Sequence, residues 1–419
     1  MSDSREISMK IMQNFLKDKR LENFSELSSQ EESAFVTMLT MTALRHLVYI
    51  RKILKSFVNK KLSSQHIASQ AALVLGATEL LYMKTPDYAV LNSYVNLVKA
   101  QTNRYVAGFV NAVLRKINNE KQRFIEEDIG EFFPHDFRTL LKKDYSAKTI
   151  AELEKIAISE PALDLTCKTE DSAKKLKGKT LPLGTIRLTT KGTVSSLPDY
   201  EKGTWWVQDF SSSLPVKMLG EIKSKKVLEL CAAPGGKTAQ LLSAGAQVTC
   251  LDISADRIDI LKENLQRLKM APKEILCADG LDYLQNTKEK FDIVLLDAPC
   301  SATGTLRRHP EIVHTKTLQD VVKQATLQKQ FLAKIVNILK PEGLLLYCTC
   351  SLCKAEGENQ IRDFLKNNPS CKTVSLQEKL PAELAKILTP EGWIRILPHH
   401  LADFGGADGF FIACLKKGF

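Results

Sequence analysis

The chain has 419 residues, a length that predicts two or three domains. Hydrophobic residues make up 44% of it, as in ordinary globular proteins, and no run approaches the 18 apolar residues of a membrane-spanning helix. The formal net charge of +11 favours a polyanionic partner. Residues 1–125 hold 18 Lys and Arg against 10 Asp and Glu, so this part is the better candidate for contacts to a nucleic-acid backbone.

The ten cysteines all lie after residue 166, many of them in apolar, strand-like runs. A disulfide-stapled secreted domain would instead be short and rich in loops. The first residues are polar and acidic, without the apolar core of a signal peptide. We therefore expect reduced thiols, a cytoplasmic location and no membrane partner, and we expect a monomer.

The N-terminal part, residues 1–125, is predicted to be an all-α bundle. Apolar residues recur at a spacing of three or four, which is the period of one helix face. One such stripe ends before Pro86, and a second follows it. The first contains Ile67, Ala71, Val74, Leu75, Thr78, Leu81 and Tyr82, and the second contains Val106, Phe109, Val110, Val113, Leu114 and Ile117.

Residues 126–200 have mixed character and predict a small α+β linker domain. The run Leu163–Cys167 alternates between apolar and polar residues, which is typical of a strand with one exposed face. From residue 201 to residue 419, apolar runs at 227–231, 248–251, 275–277, 292–296 and 343–348 alternate with amphipathic segments. This alternation predicts a doubly wound, mainly parallel sheet, whose ligands bind at the carboxyl ends of the strands.

The first of these strands is followed by a glycine turn and the start of a helix, a geometry that suits an anionic ligand. A phosphate-binding P-loop would need glycine where Cys231 stands, and the G-x-G-x-x-G dinucleotide motif is absent from the sequence. The turn alone is weak evidence, because an ordinary βα corner has the same composition. Asp252, Asp279 and Asp297 follow the next three strands. Any one of them would serve as a helix cap, but the set favours a nucleoside-bearing cofactor.

Two cysteines, Cys300 and Cys350, follow apolar runs in polar, turn-like surroundings. Most strand-end cysteines are small buried hydrophobes, and we expect that for Cys250, Cys277 and Cys414. A zinc site at Cys348, Cys350 and Cys353 is disfavoured, because C-x-C-x2-C is not the usual paired C-x2-C spacing and no histidine is close. We therefore predict no metal and two thiols with a chemical role.

Several motifs together resemble the Sun/Fmu-type RNA cytosine-C5 methyltransferases. They are the cofactor loop with Asp252 and Asp279, the run from Asp297 to Pro310, Thr349-Cys350-Ser351, Val207-Gln208-Asp209 and Asp408 to Ala413. The segment Gly108 to Arg115 resembles the NusB-like RNA-binding bundle of the bacterial small-subunit rRNA enzymes. The resemblance implies a Rossmann-like class I methyltransferase domain (201–419), preceded by an all-α NusB-like bundle (1–125) and the linker domain (126–200).

The resemblance implies S-adenosyl-L-methionine as the methyl donor and small-subunit (16S) rRNA as the partner. The methionine end would be bound by the loop residues Cys231, Ala232, Ala233, Pro234, Gly235, Gly236 and Lys237. Asp252 would bind the ribose and Asp279 the adenine edge, with Asp297 near both cofactor and base. Cys350 would be the nucleophile, and Cys300 would assist release of the product.

Cytosine C5 is a poor nucleophile, and a thiolate that adds to C6 activates it. On this hypothesis Asp297 hydrogen-bonds to the N3/N4 edge of the base, and Arg307, Arg308 and His309 hold the RNA backbone. Ala302 departs from the glycine of many relatives. Three alternatives remain: a tRNA methyltransferase of the same superfamily, a non-catalytic ribosome-assembly factor, and a DNA cytosine-C5 methyltransferase. The two separate thiol motifs favour RNA over DNA.

Overall fold

The computed structural model describes residues 2–21, 30–58, 66–127, 132–188 and 193–418. Two compact units divide the chain. The first comprises Met1–Lys142, Ala147–Ile158 and Arg308–Thr315, and the second comprises Lys143–Ser146, Ser159–Arg307 and Lys316–Phe419. The three-domain division at residues 125 and 200 stays a prediction.

The first unit is helical, as the periodicity predicted. Its main helices are α1 (Ser2–Asp18), α2 (Gln30–Phe57), α3 (Ile67–Tyr82), α4 (Asp87–Gln101), α5 (Arg104–Asn119), α6 (Lys121–Glu126), α7 (His135–Leu141) and α8 (Ala147–Ala157). Helix α3 is buried on all sides, including the carboxylate of Glu79. That carboxylate accepts hydrogen bonds from Arg5 (Nη2–Oε2 2.8 Å) and from the hydroxyl of Tyr94 (2.6 Å). A charge so deep in a bundle is stable only because it is paired.

Helix α2 is unusually long and apolar. Its segment Ser33–Phe57 is long and apolar enough to cross a membrane by length and composition alone, although polar residues such as Thr40 and Arg45 interrupt its apolar runs. The core helices of soluble proteins pass the same test. Leu39, Leu44, Leu47 and Ile50 of this helix are fully buried in the helical core. Burial in the bundle accounts for this composition.

The second unit begins with a small antiparallel sheet. Its strands are β1 (Leu163–Cys167), β2 (Lys179–Thr180), β3 (Ile186–Leu188) and β4 (Trp205–Val207), in the order β2-β3-β1-β4, and α9 (Glu170–Lys175) follows β1. Apolar side chains from three strands, Leu165, Ile186, Leu188 and Trp205, form its core. The alternating run at 163–167 is therefore a strand, as predicted.

The large sheet carries the candidate site. Its elements are α10 (Phe210–Lys217), β5 (Lys226–Leu230), α11 (Gly236–Ser243), β6 (Gln247–Asp252), α12 (Ala255–Arg267), β7 (Glu274–Cys277), α13 (Gly280–Asn286), β8 (Phe291–Asp297), α14 (Ile312–Thr315, in the helical unit), α15 (Leu318–Ile338), β9 (Leu339–Thr349), α16 (Glu358–Asn367), β10 (Cys371–Val374), β11 (Ile394–Ile396) and β12 (Phe410–Lys417). The strand order is β10-β12-β9-β8-β5-β6-β7, with β11 paired to β12.

All five predicted strands are present and parallel, from β9 through β8, β5 and β6 to β7. Three antiparallel strands, β10 to β12, extend the sheet beyond β9 and were not predicted. Leu230 pairs with Leu251 and with Leu296, and Asp297 pairs with Cys348. The carboxyl ends of β5, β6, β8 and β9 therefore lie at one edge. The α/β fold preceded by a helical bundle is confirmed.

A buried ion pair joins the small sheet to the last part of the chain. Arg187 donates to Asp164 through Nε and Nη2, both at 2.6 Å, and through Nη1 to the carbonyl oxygens of Phe404 and Gly406. We expect Arg187→Met to lower the free energy of unfolding by about 3–5 kcal/mol, because it leaves the Asp164 carboxylate buried without its cation. Denaturant unfolding measures this.

The control is Lys273→Met, which removes the more exposed pair of Lys273 with Glu289 (2.8 Å). A pair at the surface contributes about 0–1 kcal/mol. Equal losses in the two variants would contradict the assignment of a structural role to Arg187.

Candidate active site

The structure brings the two predicted thiols together. Cys300 lies in the turn after β8, Cys350 directly follows β9, and their Sγ atoms are 3.4 Å apart. Both thiols are free and partly exposed. Since Asp297 pairs with Cys348 across the two parallel strands, the chain leaves both strands at the same level. The pairing of β8 with β9 therefore places the thiols side by side.

Glycine is required where the Cys300 loop packs against its neighbours. The Gly304 N–H donates to the carbonyl oxygen of Cys350 (2.8 Å), and its own carbonyl accepts from the Gly409 N–H (2.8 Å). A Cβ on Gly304 would lie 2.1 Å from the Gly409 oxygen, so any side chain would separate these segments. Ala302 has φ 58°, in the left-handed region that favours glycine.

The surroundings of Cys300 disfavour its ionised form. The contact with the Cys350 thiol, together with burial, raises the pKa of Cys300 well above its ordinary value. Cys300 is therefore held as a neutral thiol that can donate toward Cys350.

Asp297 forms an ion pair with the loop that follows β5. Its Oδ2 accepts a hydrogen bond from Lys237 Nζ at 2.7 Å, and its Oδ1 accepts from the Cys348 thiol at 3.5 Å. Lys237 also donates to the hydroxyl of Ser212 (3.1 Å). Burial opposes the charge of Lys237, but the Asp297 carboxylate outweighs it and the pKa of Lys237 is raised. Lys237 therefore stays a cation and holds the Asp297 side chain in place at the end of β8.

The predicted cofactor loop has the expected turn. Gly235 has φ 100° and is the N-cap of α11, and Cys231 has φ 60°. Asp252, at the end of β6, is 1% exposed and accepts a hydrogen bond from the Ala233 N–H (3.1 Å). It also forms an ion pair with Arg257 (3.2 Å), a partner that the sequence did not predict. Arg257 also donates through Nη2 to the carbonyl oxygen of Ala233, so it contacts both Asp252 and the predicted cofactor loop.

Asp279 lies at the same edge but serves as a helix cap as well. Its Oδ1 accepts from the N–H groups of Leu281 (2.7 Å) and Asp282 (3.2 Å), at the start of α13. Asp279 also lines an open depression of about 450 Å³ with Ala278, Asp282, Tyr283, Asn286 and Thr287. Capping and a place in a binding surface are compatible, because its second oxygen makes neither of these two contacts.

Arg307 is not at the surface. It is 2% exposed, and its Nη2 donates to the carbonyl oxygen of Gly405. The prediction that Arg307 holds an RNA backbone is therefore wrong, since its guanidinium is committed inside the domain. For Arg308 and His309 it stays a prediction.

Sequence reasoning missed Glu356. This residue is fully buried and ends a short 3-10 turn, Lys354–Glu356, that follows the Cys350 segment. Its carboxylate accepts hydrogen bonds from residues next to both thiols. Its acidic neighbour Glu358 is equally hidden, paired with Arg395 at 2.6 Å. Their spacing in the sequence gives no sign of burial. Among the residues that the structure describes, no group of three or more His, Cys, Asp or Glu side chains is arranged to hold a metal ion.

Comparison with known proteins gives a family for both parts of the chain. Residues 216–416 match the model of the 16S rRNA methyltransferase RsmB/F family, and residues 2–119 match the NusB family. The ribosomal RNA small subunit methyltransferase B of Pasteurella multocida is 31% identical over 89% of this chain and 85% of its own length. The chain belongs to the ribosomal RNA small subunit methyltransferase B family. The resemblance to small-subunit rRNA methyltransferases with a NusB-like part is confirmed.

Other relatives agree with this membership. A probable ribosomal RNA small subunit methyltransferase B of Bacillus subtilis is 30% identical over 94% of this chain and 92% of its length. The solved structure of the protein PH0851 has a TM-score of 0.76 and covers 99% of both chains at 22% identity, which shows the shared fold. A methyltransferase homologue from Pyrococcus horikoshii has a TM-score of 0.56 at 25% identity, covering 68% of this chain and 99% of that one.

The family consists of RNA methyltransferases that use S-adenosyl-L-methionine. The residues of the candidate site fit this cofactor. Asp252 is a buried carboxylate at a strand end, and the next residue, Ile253, is an apolar side chain that is 66% exposed. A carboxylate can accept hydrogen bonds from ribose hydroxyls, and an apolar side chain beside it can pack against a flat base. The two together suit a nucleoside. Glycine is required at position 235, because its φ is 100° and a Cβ there would lie 2.9 Å from Cδ1 of Leu261.

Proposed function

We propose that this protein methylates C5 of a cytosine in small-subunit (16S) rRNA, through a covalent bond between Cys350 and C6 of the base. The observation that carries the proposal is the 3.4 Å contact of the Cys300 and Cys350 thiols at the edge that holds Asp297. A single nucleophile would need one thiol. A second thiol beside the first suits a reaction in which the covalent adduct must also be resolved.

The first step belongs to Cys350. Its thiolate adds to C6 of the cytosine, the S–C6 bond forms, and the electron pair of the C5–C6 double bond becomes available at C5. Asp297 hydrogen-bonds at the N3/N4 edge and stabilises the charge that develops there. Lys237, 2.7 Å from Asp297, holds that carboxylate in place. S-adenosyl-L-methionine, bound by the loop residues Cys231 to Lys237 with Asp252 and Asp279, supplies an electrophilic methyl group.

The second step belongs to Cys300. The C5 proton must leave before the S–C6 bond can break, and its electron pair then restores the double bond as Cys350 departs as a thiolate. Cys300 accepts this proton after its own thiol proton has passed to another base or to water, and its contact with Cys350 supports this assignment. Its raised pKa makes its thiolate a strong proton acceptor once formed, which suits this assistance.

The substrate is RNA in which the target cytosine is unpaired or flipped out, because the thiols cannot reach a stacked and paired base. The excess of basic residues in residues 1–125, in the NusB-family part, suits contacts to the rRNA backbone. Free thiols throughout the described chain suit the reducing cytoplasm, where we propose that the protein acts as a monomer.

The test is transfer of radiolabelled methyl groups to purified small-subunit rRNA and, in parallel, to bulk tRNA, followed by nuclease digestion. We expect label in 5-methylcytidine of the rRNA alone. Label in 5-methylcytidine of tRNA would support the proposed reaction but contradict rRNA as the substrate. No label in rRNA, tRNA or assembling subunits, with the donor still bound, would favour the assembly factor.

The proposed ribose contact makes its own prediction. We expect Asp252→Ala to weaken S-adenosyl-L-methionine binding about 10- to 100-fold, because a charged hydrogen-bond acceptor is lost. Calorimetric titration measures the dissociation constant. Asp256→Ala, at an exposed position in the first turn of α12, is the matched control and should bind as the wild type does. An unchanged dissociation constant for Asp252→Ala would contradict the contact.

A further inference from the structure

One buried carboxylate contacts the turns of both thiols. Ser301 directly follows Cys300, and Ser351 directly follows Cys350. Glu356 Oε1 accepts the N–H of Ser301 at 2.8 Å. Its Oε2 accepts the hydroxyls of Ser301 and of Ser351, each at 2.5 Å. The side chain of Glu356 thus bridges two segments that are 50 residues apart in the chain.

The surroundings of this carboxylate complete the bridge. Gln328 donates to Glu356 Oε1 (3.2 Å) and to the carbonyl oxygen of Pro299 (2.9 Å), so a third element contacts the Cys300 turn. The hydroxyl of Thr303 lies 3.2 Å from that of Ser351 and accepts the Leu352 N–H at 2.9 Å. A buried carboxylate with four donors is satisfied, whereas one without them would be strongly destabilising.

We propose that Glu356 is a positioning residue that ties the two thiol-bearing turns together and fixes the separation of Cys300 from Cys350. The proposal rests on the proposed function, because the two thiols must address C6 and the C5 proton of one base in turn. Glu356 donates nothing to the substrate and accepts nothing from it. Its effect passes through Ser301 and Ser351, which are 1% and 0% exposed.

The carboxylate also contributes to the electrostatics of Cys300. The contact with Cys350 and burial are the main causes that raise the pKa of Cys300, and the negative charge of Glu356 adds to them. A variant that removes this charge should therefore lower the pKa of Cys300. A purely structural role of Glu356 would leave the reactivity of the thiol unchanged in a folded protein, so this is a distinguishing measurement.

The main test is Glu356→Gln, which keeps the shape of the side chain but removes the charge and one acceptor. We expect kcat for methylation to fall about 100-fold, the loss typical of a displacement near 1 Å at a reacting group. The KM for rRNA and the dissociation constant of S-adenosyl-L-methionine should not change. The rate of alkylation of Cys300 by iodoacetamide, followed by mass spectrometry, should rise at lower pH than in the wild type.

A second variant keeps the test decisive if Glu356→Gln folds poorly. Ser351→Ala removes one hydroxyl from Oε2 and keeps the carboxylate. We expect kcat to fall about 10-fold, since one hydrogen bond to a charged group is lost. Asp292→Asn is the matched control, because Asp292 accepts a backbone N–H from Lys226 (2.9 Å) and the ammonium of Lys340 (2.8 Å) far along β8 from the thiols. It should keep the wild-type kcat.

Two results would overturn the proposal. One is a wild-type kcat in Glu356→Gln with an unchanged alkylation profile. The other is a fall in kcat together with a lower melting temperature and weaker binding of S-adenosyl-L-methionine. That combination would mean that Glu356 acts only in folding. If the wild-type protein labels no cytidine, the proposed function fails, and the alkylation profiles by themselves decide whether Glu356 controls the thiol pair.

Discussion

Replacing Cys350 with alanine is expected to abolish methylation of rRNA, with kcat falling by roughly 10⁴-fold or more, as when other enzymes lose a nucleophile. The reason is that no other group in the proposed mechanism adds to C6, so C5 remains a poor nucleophile. Binding of S-adenosyl-L-methionine should be nearly intact, because the loop and Asp252 that we propose bind it lie after β5 and at the end of β6. Methyl transfer and calorimetric titration on the same preparation measure both quantities.

The matched control is Cys371→Ala. Cys371 is another free thiol of the large sheet, but it is buried and lies on β10, at the edge beyond β12. This variant should keep its activity. A Cys350→Ala protein that still forms 5-methylcytidine would remove the nucleophile from the mechanism, whereas a loss of donor binding in parallel would show that the cysteine supports the fold instead.

The parallel half of the large sheet was predictable because its strands are short apolar runs separated by amphipathic helices. The antiparallel strands β10 and β11 were not, since they are only four and three residues long. Runs so short have no readable period, and their conformation is decided by pairing with β12. The antiparallel strands β10 and β11 therefore depend on tertiary contacts with β12, which local sequence patterns do not reveal.

The candidate site shows the same division. The thiols could be found because each stands in a polar turn after an apolar strand, and chain order then predicts one common edge. Glu356 and Arg307 were misjudged or missed for one reason: a charged residue in a loop is usually solvated. Glu356 accepts a hydrogen bond from the hydroxyl of Ser301, which is 55 residues away in the chain. Arg307 donates to the carbonyl oxygen of Gly405, which is 98 residues away. No local pattern carries such information.

Replacing Cys300 with alanine is expected to have the opposite kind of effect on the covalent adduct. Addition of Cys350 and methyl transfer should still occur once, because the groups for both steps remain. Removal of the C5 proton should slow by about 100-fold or more, the usual contribution of a positioned base. The RNA should then stay attached to the protein and migrate with it as a slow band on a denaturing gel, while turnover is lost.

The double variant Cys300→Ala/Cys350→Ala gives the control, because it should form no slow band if the bond is to Cys350. Nuclease treatment should convert the band of the single variant to a protein carrying one short nucleotide remnant on Cys350. If Cys300→Ala formed no adduct and Cys350→Ala accumulated one, the two roles would be exchanged. The 3.4 Å contact between the sulfur atoms is equally compatible with either direction of attack, so the adduct, and not the distance, assigns the nucleophile.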